Sequence, residues 1–254
     1  MMGLYFSGTG NTKYVLELFL KKLHKSNYTI CSIEENHVVE CIKQAKEIVI
    51  AYPIYYSSLP KIVNDFIDIN IELFRDKKIF IITTMGLFSG DGSGLTQRKL
   101  RKVNANIIGG LHIKMPDIIC DVNLLKKSKT ENANIINQAN ISIDNAVSRI
   151  KKGLEVRQGL SSTSHIAGLL GQRLYFGHHV KKYSDKIKID NEKCTKCNKC
   201  VSLCPMENLV LDDRVHTLNK CTMCYRCLNL CPAQAITLIG KKMVQQYHIQ
   251  DYLE

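Results

Sequence analysis

Residues 2–12 read Met2-Gly3-Leu4-Tyr5-Phe6-Ser7-Gly8-Thr9-Gly10-Asn11-Thr12, a short apolar run that gives way to a loop of small and hydroxylated residues. Beyond it Val15, Leu18, Phe19 and Leu23 recur at helical spacing, so the stretch predicts a strand, a loop and a helix in that order. A loop between a strand's carboxyl end and a helix N-terminus suits an anion, because free backbone N–H groups and the positive end of the helix dipole both face it. Gly8 and Gly10 let the backbone approach closely, and the hydroxyls of Ser7, Thr9 and Thr12 and the amide of Asn11 can add hydrogen bonds. No Gly-Lys-Ser/Thr follows, which excludes a nucleoside-triphosphate loop.

Further strand candidates at residues 28–33, 47–54, 77–86 and 107–114 alternate with helical patterns near 61–74, 93–104 and 132–153. That alternation predicts an α/β fold, a doubly wound parallel sheet of five strands, with its ligand at the carboxyl ends of the strands. Two more loops end at the same edge. Residues 53–60 carry Tyr55, Tyr56 and Ser57; residues 84–92 carry Met85, Gly86 and Phe88. Gly90, Gly92 and Gly94 miss the dinucleotide fingerprint and read as loop flexibility.

The Ser7-Gly8-Thr9-Gly10-Asn11-Thr12 loop resembles the S/T-x-T-G-N-T fingerprint with which flavodoxins hold the FMN phosphate. The resemblance implies FMN as cofactor. It makes residues 53–60 the second flavin loop, with Tyr55 or Tyr56 able to stack on the isoalloxazine, and 84–92 the cover on the ring's other face.

Eight of the eleven cysteines fall late in the chain: Cys194, Cys197, Cys200, Cys204-Pro205, then Cys221, Cys224, Cys227, Cys231-Pro232. Each half is C-x2-C-x2-C-x3-C-P, and an internal repeat of 27 residues also aligns Lys193 with Lys220, Thr195 with Thr222 and Leu209 with Ile236. Structural zinc is the rival chemistry for C-x2-C pairs, but it does not account for prolines at matched positions. Over residues 186–240 the chain resembles the bacterial-type 2(4Fe-4S) ferredoxins. In that pattern three cysteines of one run grip a cluster and the fourth, on the turn that starts a short helix, points to the other cluster. Two 4Fe-4S clusters are therefore expected, one on Cys194, Cys197, Cys200 and Cys231, the other on Cys221, Cys224, Cys227 and Cys204. Cys31, Cys41 and Cys120 stand alone and read as small buried apolar residues.

The expected divisions are a flavodoxin-like domain at 1–153, a partly helical basic connector at 154–185, the ferredoxin domain at 186–240 and a short, helical tail at 241–254. The adjacent pair His178-His179 in the connector does not read as a metal site, because neighbouring side chains point apart. The formal net charge is +12 and residues 151–190 are the most basic part. A basic surface without interleaved aromatics or a reader motif argues against nucleic acid and suits an acidic redox partner protein. The longest apolar run, residues 48–56, is too short for a membrane span, and no signal-like segment opens the sequence, so a cytoplasmic protein is expected.

As a whole the chain resembles flavodoxin-ferredoxin fusion proteins. The resemblance implies an electron carrier relaying electrons between FMN, the two clusters and a redox partner. The alternative is an FMN-dependent reductase of a small quinone or nitro compound that uses the clusters as its wire.

Overall fold

Strand β3 (Glu47–Pro53) sets the layering: Ile48, Ile50 and Tyr52 are buried in one apolar cluster while Val49 and Ala51 are buried in another. A strand covered on both faces belongs in the middle of a parallel sheet. The computed structural model describes residues 1–24, 26–55, 58–87, 92–161 and 186–253. Its sheet joins β1 (Met2–Tyr5), β2 (Thr29–Ser32), β3, β4 (Lys78–Met85) and β5 (Asn106–Lys114), all parallel, in the order β2-β1-β3-β4-β5. The strand order reverses between β1 and β3, so the loops after these two strands diverge and leave a crevice at their carboxyl ends.

Helices cover both faces. On one side α1 (Asn11–His24) packs on α5 (Lys129–Lys151), burying Val15, Leu16, Phe19 and Leu20 against Ile136, Ala139 and Ile143. On the other lie α2 (Val38–Gln44), α3 (Lys61–Ile69) and α4 (Gly92–Leu100). Helix α5 begins at a capping box, in which Ser128 Oγ accepts from Glu131 N–H and Ser128 N–H donates to the Glu131 carboxylate. Helix α2 gives no sequence signal, because its seven residues are too few to show a period. The helices expected at 61–74 and 93–104 stop earlier, since each ends in a 3-10 turn, Ile71–Phe74 and Arg101–Val103.

The connector begins as an extension of the sheet, ahead of the part expected to be helical. Gly110 N–H donates to Val156 O and Gln158 N–H to Gly110 O, both at 2.8 Å, so residues 156–158 run along the β5 edge. Gly109 and Gly110 permit this, because a Cβ on Gly110 would stand 2.7 Å from Gln158 O. The rest of the connector, including His178 and His179, lies outside the described residues.

The C-terminal unit repeats itself in three dimensions. Helices α6 (Lys199–Ser202) and α7 (Arg226–Asn229) are 27 residues apart, as are β7 (Leu209–Leu211) and the start of β9 (Ile236–Thr237). Left-handed backbone follows the same shift: Lys196, Asn198 and Glu207 match Met223, Tyr225 and Gln234. Strand β6 (Lys188–Ile189) pairs with β9, as the apolar residues Ile187 and Ile189 suggest, and β7 pairs with β8 (Val215–Thr217).

Two connections lock the units together. Asp121, in the loop after β5, accepts N–H bonds from Leu238, Ile239 and Gly240 on one carboxylate oxygen, while Tyr225 OH donates to the other. The tail, expected as a short terminal helix, supplies only a 3-10 turn (Ile249–Tyr252) and returns to the first unit. There Tyr247 and Ile249 are buried with α1 and α5. Folding the tail back removes this apolar surface from water, which a free terminal helix would leave exposed.

Candidate functional site

The carboxyl ends of β1, β3, β4 and β5 enclose a cavity with an empty volume of about 1060 Å³ including its mouth. Of the residues singled out in the sequence, Ser7, Gly8, Thr9, Asn11, Thr12, Tyr55, Met85 and Gly86 line it. Tyr56, Ser57 and Phe88 lie outside the described residues. Gly10 does not line the cavity. Its φ is +97° and its Cβ position is 2.6 Å from Ile249 Cγ2, so the tail and the turn require the glycine there.

Several loop side chains already have partners. Ser7 Oγ accepts from Gly10 N–H at 3.1 Å, and the Thr12 and Thr84 hydroxyls share a bond of 2.8 Å. Asn11 Nδ2 donates to Pro116 O and Asn11 Oδ1 accepts from Tyr247 OH, so this amide braces the β5 loop and the tail rather than facing the cavity as a free donor. Two hydroxyls differ. Thr9 Oγ1 and Tyr55 OH are buried without a hydrogen-bond partner. Burial holds the Tyr55 phenol well above its ordinary pKa of 10.0, so it stays a donor. Buried polar groups normally find partners, so two orphans beside one cavity fit a ligand that carries its own acceptors, as FMN does.

Residues 115–119, after β5, also line the cavity, and Asp117 is the carboxylate among its walls. Partial burial raises the Asp117 pKa, partly offset by backbone N–H groups such as that of Ile119. Met223 and Tyr225 from the second unit complete the wall. No sequence signal marked these residues, because each reaches the cavity only through the docking of two units.

Arg226 makes that docking specific. Its guanidinium donates to Ser7 O at 2.8 Å, Gly8 O at 3.2 Å and Leu203 O at 3.1 Å, and makes two 2.7 Å bonds to the Glu34 carboxylate. It also lies 5.8 Å from the centre of the Phe6 ring. The backbones meet closely: a Cβ on Gly8 would stand 2.3 Å from Cys224 O and 3.0 Å from Tyr55 OH.

The eight cysteines line two cavities of equal empty volume, about 370 Å³ each including the open solvent at their mouths. Cys194, Cys197, Cys200 and Cys231 surround one; Cys204, Cys221, Cys224 and Cys227 surround the other. The left-handed residues between the cysteines, Lys196 and Asn198 in one run and Met223 and Tyr225 in the other, alternate the backbone so that N–H groups turn inward. Asn208 N–H donates to Cys204 Sγ at 3.3 Å and its repeat partner Ala235 to Cys231 Sγ at 3.4 Å. Burial pushes the Cys224 thiol up to about 11 and Cys227 well above its ordinary 9.0, so both need a cation in the cavity to be held as thiolates. Four sulfurs and converging N–H donors around each void fit an iron–sulfur cluster.

A family model described as a flavodoxin domain matches residues 2–106, and one described as a 4Fe-4S dicluster domain matches residues 186–232. The chain is a flavodoxin domain fused to a 4Fe-4S dicluster domain. Among solved structures, a flavodoxin from the domain Archaea is 17% identical over 58% of this chain and 97% of its own, with a TM-score of 0.39. The two-electron reduced flavodoxin of Megasphaera elsdenii is 21% identical over 46% of this chain and 89% of its own, with a TM-score of 0.41. The Trp repressor binding protein from Bacillus subtilis is 15% identical over 59% and 96%, with a TM-score of 0.43. No curated protein matches this chain.

The protein is thus an electron-transfer flavin and iron–sulfur protein, and its flavodoxin and dicluster domains meet at the cavity above the sheet. Among the described residues no helix is long and apolar enough to cross a membrane.

Proposed function

We propose that the chain relays electrons between FMN in the flavodoxin cavity, two 4Fe-4S clusters in the dicluster domain and a protein partner. The observation that carries this reading is a shared wall. Tyr225 lines both the flavin cavity and the cavity of Cys204, Cys221, Cys224 and Cys227, so the two cavities share part of a wall. When bound, FMN exchanges electrons singly or in pairs, whereas each cluster passes one at a time.

The chain's own residues divide the remaining work. Thr9 and Tyr55 offer the buried hydroxyls for FMN. Cys221, Cys224, Cys227 and Cys204 hold the cluster nearer the flavin, and Cys194, Cys197, Cys200 and Cys231 the farther one. Arg226 positions the flavodoxin loop against the nearer cluster. At the far end Cys197 is exposed between exposed Lys196 and Lys199, while neighbouring Lys193 is paired with Asp190. Lys196 and Lys199 support an acidic redox partner protein, steered there by charge. A cytoplasmic setting suits these reduced thiols and exposed clusters.

Anaerobic reconstitution tests the reading. It should give about eight irons and one FMN per chain, and stepwise reduction should yield paramagnetic signals that interact with one another. A colourless protein loaded with zinc in both cysteine cavities refutes it. A second reading, reduction of a small quinone or nitro compound, is favoured by the carboxyl of Asp117 in the cavity wall, which could supply a proton to such an acceptor. Turnover of these compounds that falls in Asp117→Asn while FMN content holds would select it.

A further inference from the structure

Cys31 and Cys41 stand apart in the sequence, yet the fold brings them together beside a histidine. Cys31 lies on β2 and is buried, Cys41 lies half-buried on α2, and His37 stands at the N-cap of that helix, exposed. Cys31 Sγ is 3.0 Å from Cys41 Sγ and 3.7 Å from His37 Nε2, and all three donor atoms lie within 4.8 Å of one another. None of the three lines the flavin cavity or either cysteine cavity.

Tetrahedral zinc bound at its usual lengths sets sulfur and nitrogen about 3.6 Å apart and two sulfurs about 3.8 Å apart. The sulfur–imidazole distance already matches. The sulfurs need to part by less than about 1 Å, which a change of rotamer on the partly exposed Cys41 can supply. The Glu35 carboxylate lies 3.2 Å from His37 Nε2, where it orients the imidazole, but it stands outside the group of donor atoms within 4.8 Å of one another.

We propose that Cys31, His37 and Cys41 form a binding site for one zinc ion, with a water as fourth ligand. Binding replaces the thiol protons of Cys31 and Cys41 with the cation and changes no oxidation state. A disulfide would need only the two sulfurs and an oxidant; the third ligand at tetrahedral distance is what selects the metal. The site would be structural, clamping the turn between β2 and α2. That turn also carries Glu34, the carboxylate that receives Arg226, so the cation would hold the docking residue in place.

The test uses full-length protein purified anaerobically with its iron and FMN, supplied with zinc and measured for metal content. One zinc per chain beyond the iron is expected, absent from the double variant Cys31→Ser, Cys41→Ser with iron and FMN unchanged. His37→Ala, a surface change that leaves the core intact, should weaken zinc retention against a chelator by at least about tenfold, a loss that even a removed supporting hydrogen bond causes at zinc sites. Wild-type protein without zinc, zinc that both variants retain fully, or a Cys31–Cys41 disulfide found by mass would each overturn the proposal.

Discussion

Adding one methyl group at Gly8 probes the junction on which the relay depends. The φ of Gly8 is not in the left-handed region, so Gly8→Ala brings no backbone strain and acts through space alone. Its Cβ would sit 2.3 Å from Cys224 O, against an ordinary contact of 3.4 Å or more, so the flavodoxin loop and the cluster loop must separate by about 1 Å. Both sides are backbone and cannot swing away as a flexible side chain could. Overpacking of this kind costs about 1–3 kcal/mol, and the reduced entropy of the unfolded chain returns about 0.4–1 kcal/mol. A net loss of about 1–2 kcal/mol is expected, lowering the thermal midpoint by about 2–8 °C for a chain of this size. The loss should appear equally in protein freed of FMN, because the clash is between two protein segments. In holoprotein, stopped-flow reduction should show slower exchange between flavin and clusters. An unchanged midpoint together with unchanged exchange would refute the close approach of the two domains.

Thr9→Ala should weaken FMN binding about tenfold, the worth of about one hydrogen bond to a charged group, with little change in stability; unaltered affinity by fluorescence titration would count against the role of Thr9. Asn11→Ala should instead lower stability by releasing Tyr247 and Pro116, read as a shifted denaturant midpoint. The pair Arg226→Met and Glu34→Gln should show a coupling of about 1–3 kcal/mol in a double-mutant cycle, since both side chains are mostly shielded, and additive losses would dismiss the clamp. For Asp117, partial burial raises the folded pKa above its ordinary 3.8, so the folded state binds more protons than the unfolded one in that window. Stability should therefore fall as pH rises through the interval above 3.8, and Asp117→Asn should remove that part of the slope.

Local patterns made much of this protein legible. Ile48 to Tyr52 announce a buried strand because parallel sheets cover both faces, and Val15, Leu18 and Phe19 announce α1 by period. Thr9 stands in a loop defined by its neighbours in the chain, and the cysteine runs owe their reading to fixed spacing within a 27-residue repeat. Such features lie within one or two elements, where sequence distance stands in for spatial distance. Arg226, Asp121, Tyr247 and the trio Cys31, His37 and Cys41 gave no such signal. Arg226 reaches Ser7 across 219 positions of chain, and Tyr247 reaches Asn11 across 236. Even Gly8 and Gly10, read as room for an anion, prove to be room for Cys224 and Ile249 as well. The sequence alone determined the two domain types and the spacing of the cysteine runs; only the tertiary structure decided which cysteine cavity adjoins the cavity at the carboxyl edge of the sheet. That choice depends on the close contact of two separately encoded surfaces, and no spacing along the chain records it.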